Sequence, residues 1–263
     1  MQITYFGTGV AINPYVDTMH MLLEDNLNQL YIDAWWWMSL MQKVLRKDIK
    51  KPEYIRITHC HSDHLLGIVH LLRIHKTWKL TIFCTQTIQK NIEQLMHIVG
   101  KHKLYQQQID EKLIEYRYIN KEKEIALFDW TITPLNLLST KAEQYWFILK
   151  QGDKKITFLW DEAIDVLKKL DYKDMIKSNW LLCEAFCLDS EKNEKQPHEK
   201  SHITAKESGE IANTLQAKNL ILSHISNHVI DRKKQLSEIK HEAWLYFDWN
   251  IEVPRDNQII QLR

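Results

Sequence analysis

Short runs of apolar and β-branched residues at 2–6, 18–23 and 28–33 predict three strands, separated by the turn formers Asn13-Pro14 and Asp25-Asn26. Met38, Met41 and Leu45 recur at helical spacing and predict a helix over 38–47. Tyr54–Thr58 reads as a compact strand, and in 63–76 the residues Leu65, Ile68, Val69 and Leu72 share one helical face. A strand at 79–84 and a helix at 86–99 follow, and 101–122 is polar and predicted to be the least regular stretch. Strands are predicted at 123–137, 144–150 and 155–160, with Gly152-Asp153 as a hairpin turn between the last two. The pattern continues with a helix at 162–170, a strand at 179–185 and a charged segment at 189–200 without apolar period, read as an exposed loop. A helix at 204–216, the strand Asn219–Ser223, a helix at 231–243 and a strand at 257–262 close the chain. Two clusters of strands, each flanked by helices, predict an α/β or α+β architecture of two sheets packed face to face. A length of 263 residues, 44% of them hydrophobic, suffices for one domain spanning 1–263.

Charge narrows the choice of partners. The formal net charge is +1, so no basic field steers nucleic acid to the molecule. Arg46-Lys47, Lys50-Lys51 and Lys233-Lys234 read as solvated helix ends. The four cysteines, Cys60, Cys84, Cys183 and Cys187, form no Cys-x-x-Cys pair, and a reduced compartment is expected. The N-terminus enters a strand pattern directly, and no apolar stretch is long enough to span a bilayer. The expectation is a cytoplasmic protein with no membrane partner.

Chemistry concentrates in His59-Cys60-His61-Ser62-Asp63-His64, where four metal-ligating side chains fall within six residues between a strand and a helix. Imidazole suits zinc, manganese or iron, and aspartate adds a charged oxygen. On an extended chain His59 and His61 point the same way, while Asp63 and His64 turn into the next helix and can face a second ion. A surface histidine cluster or a helix cap by Asp63 is the alternative, but it does not account for four ligands in this order.

The segment resembles the signature of the metallo-β-lactamase superfamily, and the resemblance runs along nearly the whole chain. Tyr5-Phe6-Gly7-Thr8-Gly9 is similar to the family's opening strand and glycine turn, Asp33-Ala34 to its Asp-Ala-Gly element, and Asp161-Glu162 to its Gly-Asp element. His224 resembles the last histidine ligand; Glu184-Ala185-Phe186 and His202-Ile203-Thr204 resemble elements of the ribonuclease Z branch. The resemblance implies a four-layer αβ/βα sandwich and a site for two divalent ions, zinc in the first place with manganese or iron as alternatives. His59 and His61 would hold the first ion, Asp63, His64 and His224 the second, and Asp161 would bridge them. Asp63 would thus take part in catalysis as well as ligation. His202 would contact the scissile group or protonate the leaving oxygen, and Glu184 would lie on the substrate side of the site.

Two departures stand out. The family carries one more histidine on the first ion, and the matching position, just before Ser139-Thr140-Lys141, holds Leu138. No histidine lies between His102 and His198, so the first site would keep His59, His61 and Asp161. The second departure is compositional: glycine occurs 6 times and tryptophan 10 times, against an ordinary glycine share of about 7%. Trp35, Trp36, Trp37, Trp146, Trp160 and Trp249 stand where relatives usually carry glycine, which permits positive φ or close backbone approach. One reading is that these are UGA codons of an organism that decodes UGA as glycine, translated by a code that reads tryptophan. The coding DNA tests it: UGG at all six positions ends the idea and leaves a tryptophan-lined pocket over a degenerate metal site.

The function these residues imply is metal-dependent hydrolysis of a phosphodiester through a metal-bridging hydroxide, ribonuclease Z-like or on a small nucleotide. The stretch from Leu138 to Asp161 is filled by two predicted strands, with no length for a tRNA-gripping arm, which favours a small phosphodiester over RNA. The alternatives are a catalytically impaired binding or sensor protein, for which Leu138 speaks, and a carboxylic ester, lactone or thioester hydrolase. A homodimer is expected from the resemblance, not from any residue.

Overall fold

A computed structural model describes residues 1–10, 16–34, 53–75, 77–121, 123–139, 141–226 and 232–262. The helix expected at 38–47, the Asn13-Pro14 turn and Trp35, Trp36 and Trp37 lie outside these residues.

The first sheet contains β1 (Gln2–Gly7), β2 (His20–Glu24), β3 (Gln29–Ile32), β4 (Tyr54–Arg56), β5 (Leu80–Cys84), β6 (Ile114–Tyr118) and the last strand of the chain, Gln258–Gln261, which pairs with β1. The second is built from β7 (Ile125–Leu127), β8 (Trp130–Asn136), β9 (Tyr145–Gln151), β10 (Lys154–Leu159), β11 (Trp180–Glu184), β12 (Asn219–Ser223) and β13 (Asn250–Glu252); the strand at 258–261 is β14. Each sheet is mixed. Strands β14, β1, β2 and β3 run antiparallel, and β3 to β6 parallel. Likewise β7 to β10 run antiparallel, and β10 to β13 parallel.

Period-two patterning sets the layers. Ile3 and Tyr5 of β1, Met21 and Leu23 of β2, and Leu30 and Ile32 of β3 join the core between the sheets, with Phe147, Leu149, Ile156 and Phe158 opposite. The intervening Phe6, Leu22 and Tyr31 face a second core against the helices α1 (Ser62–Leu65), α2 (Ile68–Ile74), α3 (Gln86–Ile98) and α4 (His102–Asp110). On the far side, α7 (Ala205–Thr214) and α8 (Arg232–Trp244) cover the second sheet through Ile211, Leu215, Leu236 and Ile239. The short α5 (Ile164–Leu167) and α6 (Lys192–Lys195) lie in connections. This is the α/β sandwich the sequence predicts.

Several local expectations are corrected. The stretch expected to be least regular carries α4 and β6, because Tyr105 and Gln108 turn inward and β6 pairs in parallel with β5. Gln108 Nε2 donates to the carbonyls of Leu72 and His75, so a polar side chain holds a buried stripe that an apolar count misses. The expected helix at 63–76 is two helices, interrupted where Gly67 N–H donates to the Ala34 carbonyl at 2.7 Å. The helix at 162–170 shortens to α5. The loop at 189–200 contains α6, whose Lys195 is buried with Nζ 3.1 Å from Glu191. The three-residue β13 was too short to read from pattern alone.

Trp146 and Trp160 are fully buried with ring centroids 4.2 Å apart, and Trp249 is exposed. None of the three has positive φ, so the left-handed backbone expected there is absent. The two buried rings pack in the core rather than plug the site. Yet neither indole N–H finds an acceptor, a defect costing about 1–3 kcal/mol for each buried donor.

Candidate metal centre

The carboxyl ends of parallel strands from both sheets converge on one place, the usual location of sites in open α/β sheets. Strand β3 delivers Asp33, β4 leads to His59 and α1, β10 to Asp161, β11 ends on Glu184 and β12 leads to His224. Asp33, Asp161 and His224 have left-handed backbone, with φ of 60°, 64° and 55°, as do Leu138 (53°) and Ser201 (58°). Such strain at non-glycine residues gathers where a structure over-determines a functional geometry.

Supporting oxygens fix the imidazoles. His64 Nδ1 lies 2.6 Å from Asp33 Oδ2, and the same carboxylate accepts from the amide and hydroxyl of Thr58 at 2.8 and 2.9 Å. His224 Nδ1 and His202 Nδ1 lie 3.2 and 2.8 Å from Glu184 Oε2, and His59 Nδ1 lies 3.1 Å from the Thr58 hydroxyl. With Nδ1 engaged, Nε2 of His59, His64 and His224 is left to face the centre, the arrangement that orients metal-ligating histidines.

His59 Nε2 is 2.7 Å from Asp161 Oδ2. His64 Nε2 is 3.6 Å from both Asp63 Oδ2 and Asp161 Oδ2, and His224 Nε2 is 3.8 Å from Asp63 Oδ2. The Nε2 atoms of His59, His64 and His224 and Oδ2 of Asp161 are buried, and beyond the close approaches among themselves and Asp63 they have no hydrogen-bond partner. Buried polar atoms are as a rule paired, and here four unpaired ones converge on one point, so the set of nitrogens and a carboxylate oxygen fits a cation. Among the described residues, three groups hold their ligand atoms within 4.8 Å of one another: His59, His64 and Asp161; Asp63, His64 and His224; and Asp161, His202 and His224.

The structure thus brings together His59, Asp63, His64, Asp161, His202 and His224. His61 is more exposed, and its Nδ1 stands 3.6 Å from Asp161 Oδ2, outside those three groups. Glu184 is fully buried, and its carboxylate accepts from the Asp161 and Glu162 amides at 3.0 and 3.2 Å as well as facing both histidines. Its task is to hold His202, His224 and the Asp161 backbone. Leu138 turns 68% of its surface outward and offers no ligand atom.

Electrostatics follow from this packing. Burial, with the neighbouring His64, pushes His59 down to about 4. His64 and His224 go the other way: burial opposes their charge, but Asp33 and Asp63 carry His64 up to about 9, and Asp63 and Glu184 carry His224 to about 10. Burial alone would raise the carboxyls, but His64 holds Asp63, His59 holds Asp161 and His202 holds Glu184 below their ordinary range.

In the sequence Asp33 is legible only as part of the Asp-Ala-Gly-like element, yet it positions His64. Replacing Asp33 by asparagine keeps an acceptor but loses the charge. Zinc affinity, measured by chelator competition, is expected to fall about tenfold, the low end for an outer partner of a ligand. Unchanged affinity would show that Asp33 does not orient His64.

Two mixed sheets with histidines and carboxylates at their strand ends define a scaffold of the metallo-β-lactamase type. The family model for the beta-lactamase superfamily domain matches residues 28–225, and the chain belongs to that family. Its members usually bind divalent metals, in keeping with the cluster described. Among solved structures, the metallo-beta-lactamase fold protein YhfI from Bacillus subtilis is similar, with a TM-score of 0.75, 16% identity and 99% of each chain covered. The short form of human tRNase Z has a TM-score of 0.71, 17% identity and full coverage of both chains. A diphosphatase from the PhnP family has a TM-score of 0.71, 16% identity, and covers 99% of this chain and 97% of its own. No curated protein matches the chain in sequence. No described helix is long and apolar enough to cross a membrane.

Proposed function

We propose that the chain is a metal-dependent hydrolase acting on a small phosphodiester. The observation that carries the reading is the set of orphaned, buried atoms of His59, His64, His224 and Asp161 beside the His202–Glu184 pair. His59, His61 and Asp161 would hold a first divalent ion, and Asp63, His64 and His224 a second, with zinc, manganese or iron as candidates. Ions there would supply Lewis acidity toward a phosphoryl oxygen and lower the pKa of water. Asp63 and Asp161 anchor negative charge at the centre.

His202 is the candidate for proton transfer to the leaving oxygen. It stacks on Phe186 with centroids 4.4 Å apart and planes within 6°, and Glu184 holds Nδ1, so Nε2 remains for a substrate. Two of the neighbouring structures are named for cleavage at phosphorus, a tRNase and a diphosphatase, which supports the choice of substrate class. The chain between Leu138 and Asp161 is taken up by β9 and β10, favouring a small nucleotide over a large RNA.

The test is hydrolysis of bis(p-nitrophenyl) phosphate with added manganese or zinc. The wild-type rate is expected to exceed that of the Asp63→Ala/His64→Ala double variant by more than about 100-fold, since even outer partners of metal ligands contribute up to that factor. No rate above the double variant would sink the proposal, and faster turnover of p-nitrophenyl acetate would move it to carboxylic esters. Leu138 favours a second reading, a binding or sensor protein that holds one ion and a ligand without turnover.

A further inference from the structure

Lys141 lies in the connection between β8 and β9 and reaches back into the site. Its ammonium donates to the carbonyls of Asp161, Lys200 and Ser201, each at 3.3 Å, and stands 3.6 Å from Asp161 Oδ1. One cation therefore joins three segments distant in sequence: its own connection, the turn after β10 and the approach to His202. Two of the three acceptors, Asp161 and Ser201, are left-handed residues. The strained backbone thus presents its carbonyls to the same group.

The arrangement also sorts the oxygens of Asp161. Oδ2 faces His59, at 2.7 Å, and His61 and His64, at 3.6 Å. Oδ1 faces Lys141 at 3.6 Å and His202 Nδ1 at 3.4 Å. Gln144, from the same connection, donates to the carbonyls of Trp160 and Asp161 at 3.2 and 3.3 Å and holds the turn, but not the segment that carries His202.

We propose that Lys141 is a positioning residue, a clasp that fixes the carboxylate of Asp161 and the segment Lys200–His202 relative to one another. The geometric claim stands on these contacts alone. Its catalytic consequence rests on the hydrolase reading, and the experiment separates the two.

Hydrogen exchange on the full-length protein, resolved by peptide, compares wild type with Lys141→Met and Lys141→Arg. Amides of the segment are hydrogen-bonded, Ser201 N–H to the His198 carbonyl at 3.1 Å and His202 N–H to that of Pro197 at 2.8 Å, so its opening is measurable. In Lys141→Met, exchange over 198–203 is expected to rise about tenfold, as for loss of hydrogen bonds to a charged donor, while β11 stays protected. For bis(p-nitrophenyl) phosphate, kcat is expected to fall about tenfold with KM within about twofold, because misplacement acts on the transition state. Lys141→Arg should restore both within about threefold. Unchanged exchange over 198–203 overturns the clasp. Raised exchange with unchanged kcat overturns its positioning role and leaves a structural tie. If the wild type turns over no phosphodiester, the hydrolase reading fails, and exchange alone still decides the clasp.

Discussion

Leu138→His is expected to tighten the first ion on the order of 100-fold, taking the upper end of the range for residues that support a metal. Leu138 keeps a left-handed φ of 53°, the conformation also found at Asp33, Asp161 and His224. For a leucine this costs about 1–2 kcal/mol. The side chain recovers little of it, being largely exposed. Lys141, three residues on, already touches Asp161, so the connection is seated against the centre. The connection that carries Leu138 thus keeps a left-handed residue beside a side chain that reaches the centre. Metal analysis under chelator competition should show wild type losing its first ion about 100-fold more readily than the variant, while both keep the second. Equal retention of the first ion in wild type and variant would show that His59, His61 and Asp161 suffice.

Metal binding is expected to release protons. Without metal, His64 titrates at about 9 and His224 at about 10, so both are charged at pH 7. A metal needs them neutral. Filling the group of Asp63, His64 and His224 should therefore displace up to about two protons, and apparent affinity should rise up to about 100-fold per pH unit before levelling near pH 9–10. The stability of the metal-free protein has the opposite trend. Both histidines have raised pKa values, so their contribution is fully present below the ordinary histidine value and is lost as pH rises through 9 and 10. Calorimetric titration with zinc at pH 7 in two buffers of different ionisation enthalpy counts the protons. A count near zero would mean the rings are already neutral.

Most of the sheet strands and the helices α3, α7 and α8 could be read from the sequence because their apolar residues recur at clear periods. The histidine cluster was equally plain, since its ligands are adjacent in sequence. What escaped was set by tertiary contact. Helix α4 depends on Gln108 turning inward, β13 on parallel pairing with β12, and Lys195 of α6 is buried because Glu191 pairs with it. At the site, the deep burial of Glu184 follows from two histidines and two amides meeting it from separate strands and turns. Lys141 gives no motif signal, because its partners are backbone carbonyls. The family resemblance, not periodicity, identified Asp161, His202 and His224, each isolated in its own stretch of chain.

The meeting of strand ends from both sheets has a consequence for folding. Asp63 and His64 follow the first sheet, whereas His224 follows the second, 160 residues later. No local segment can assemble the group, and loop closure over that distance must come first. An ion bound there would act as a staple between the two halves of the sandwich, drawing the folding equilibrium toward the docked state in proportion to its free concentration. A cell starved of metal would then hold this protein less firmly closed, with its inter-sheet core nearer to opening.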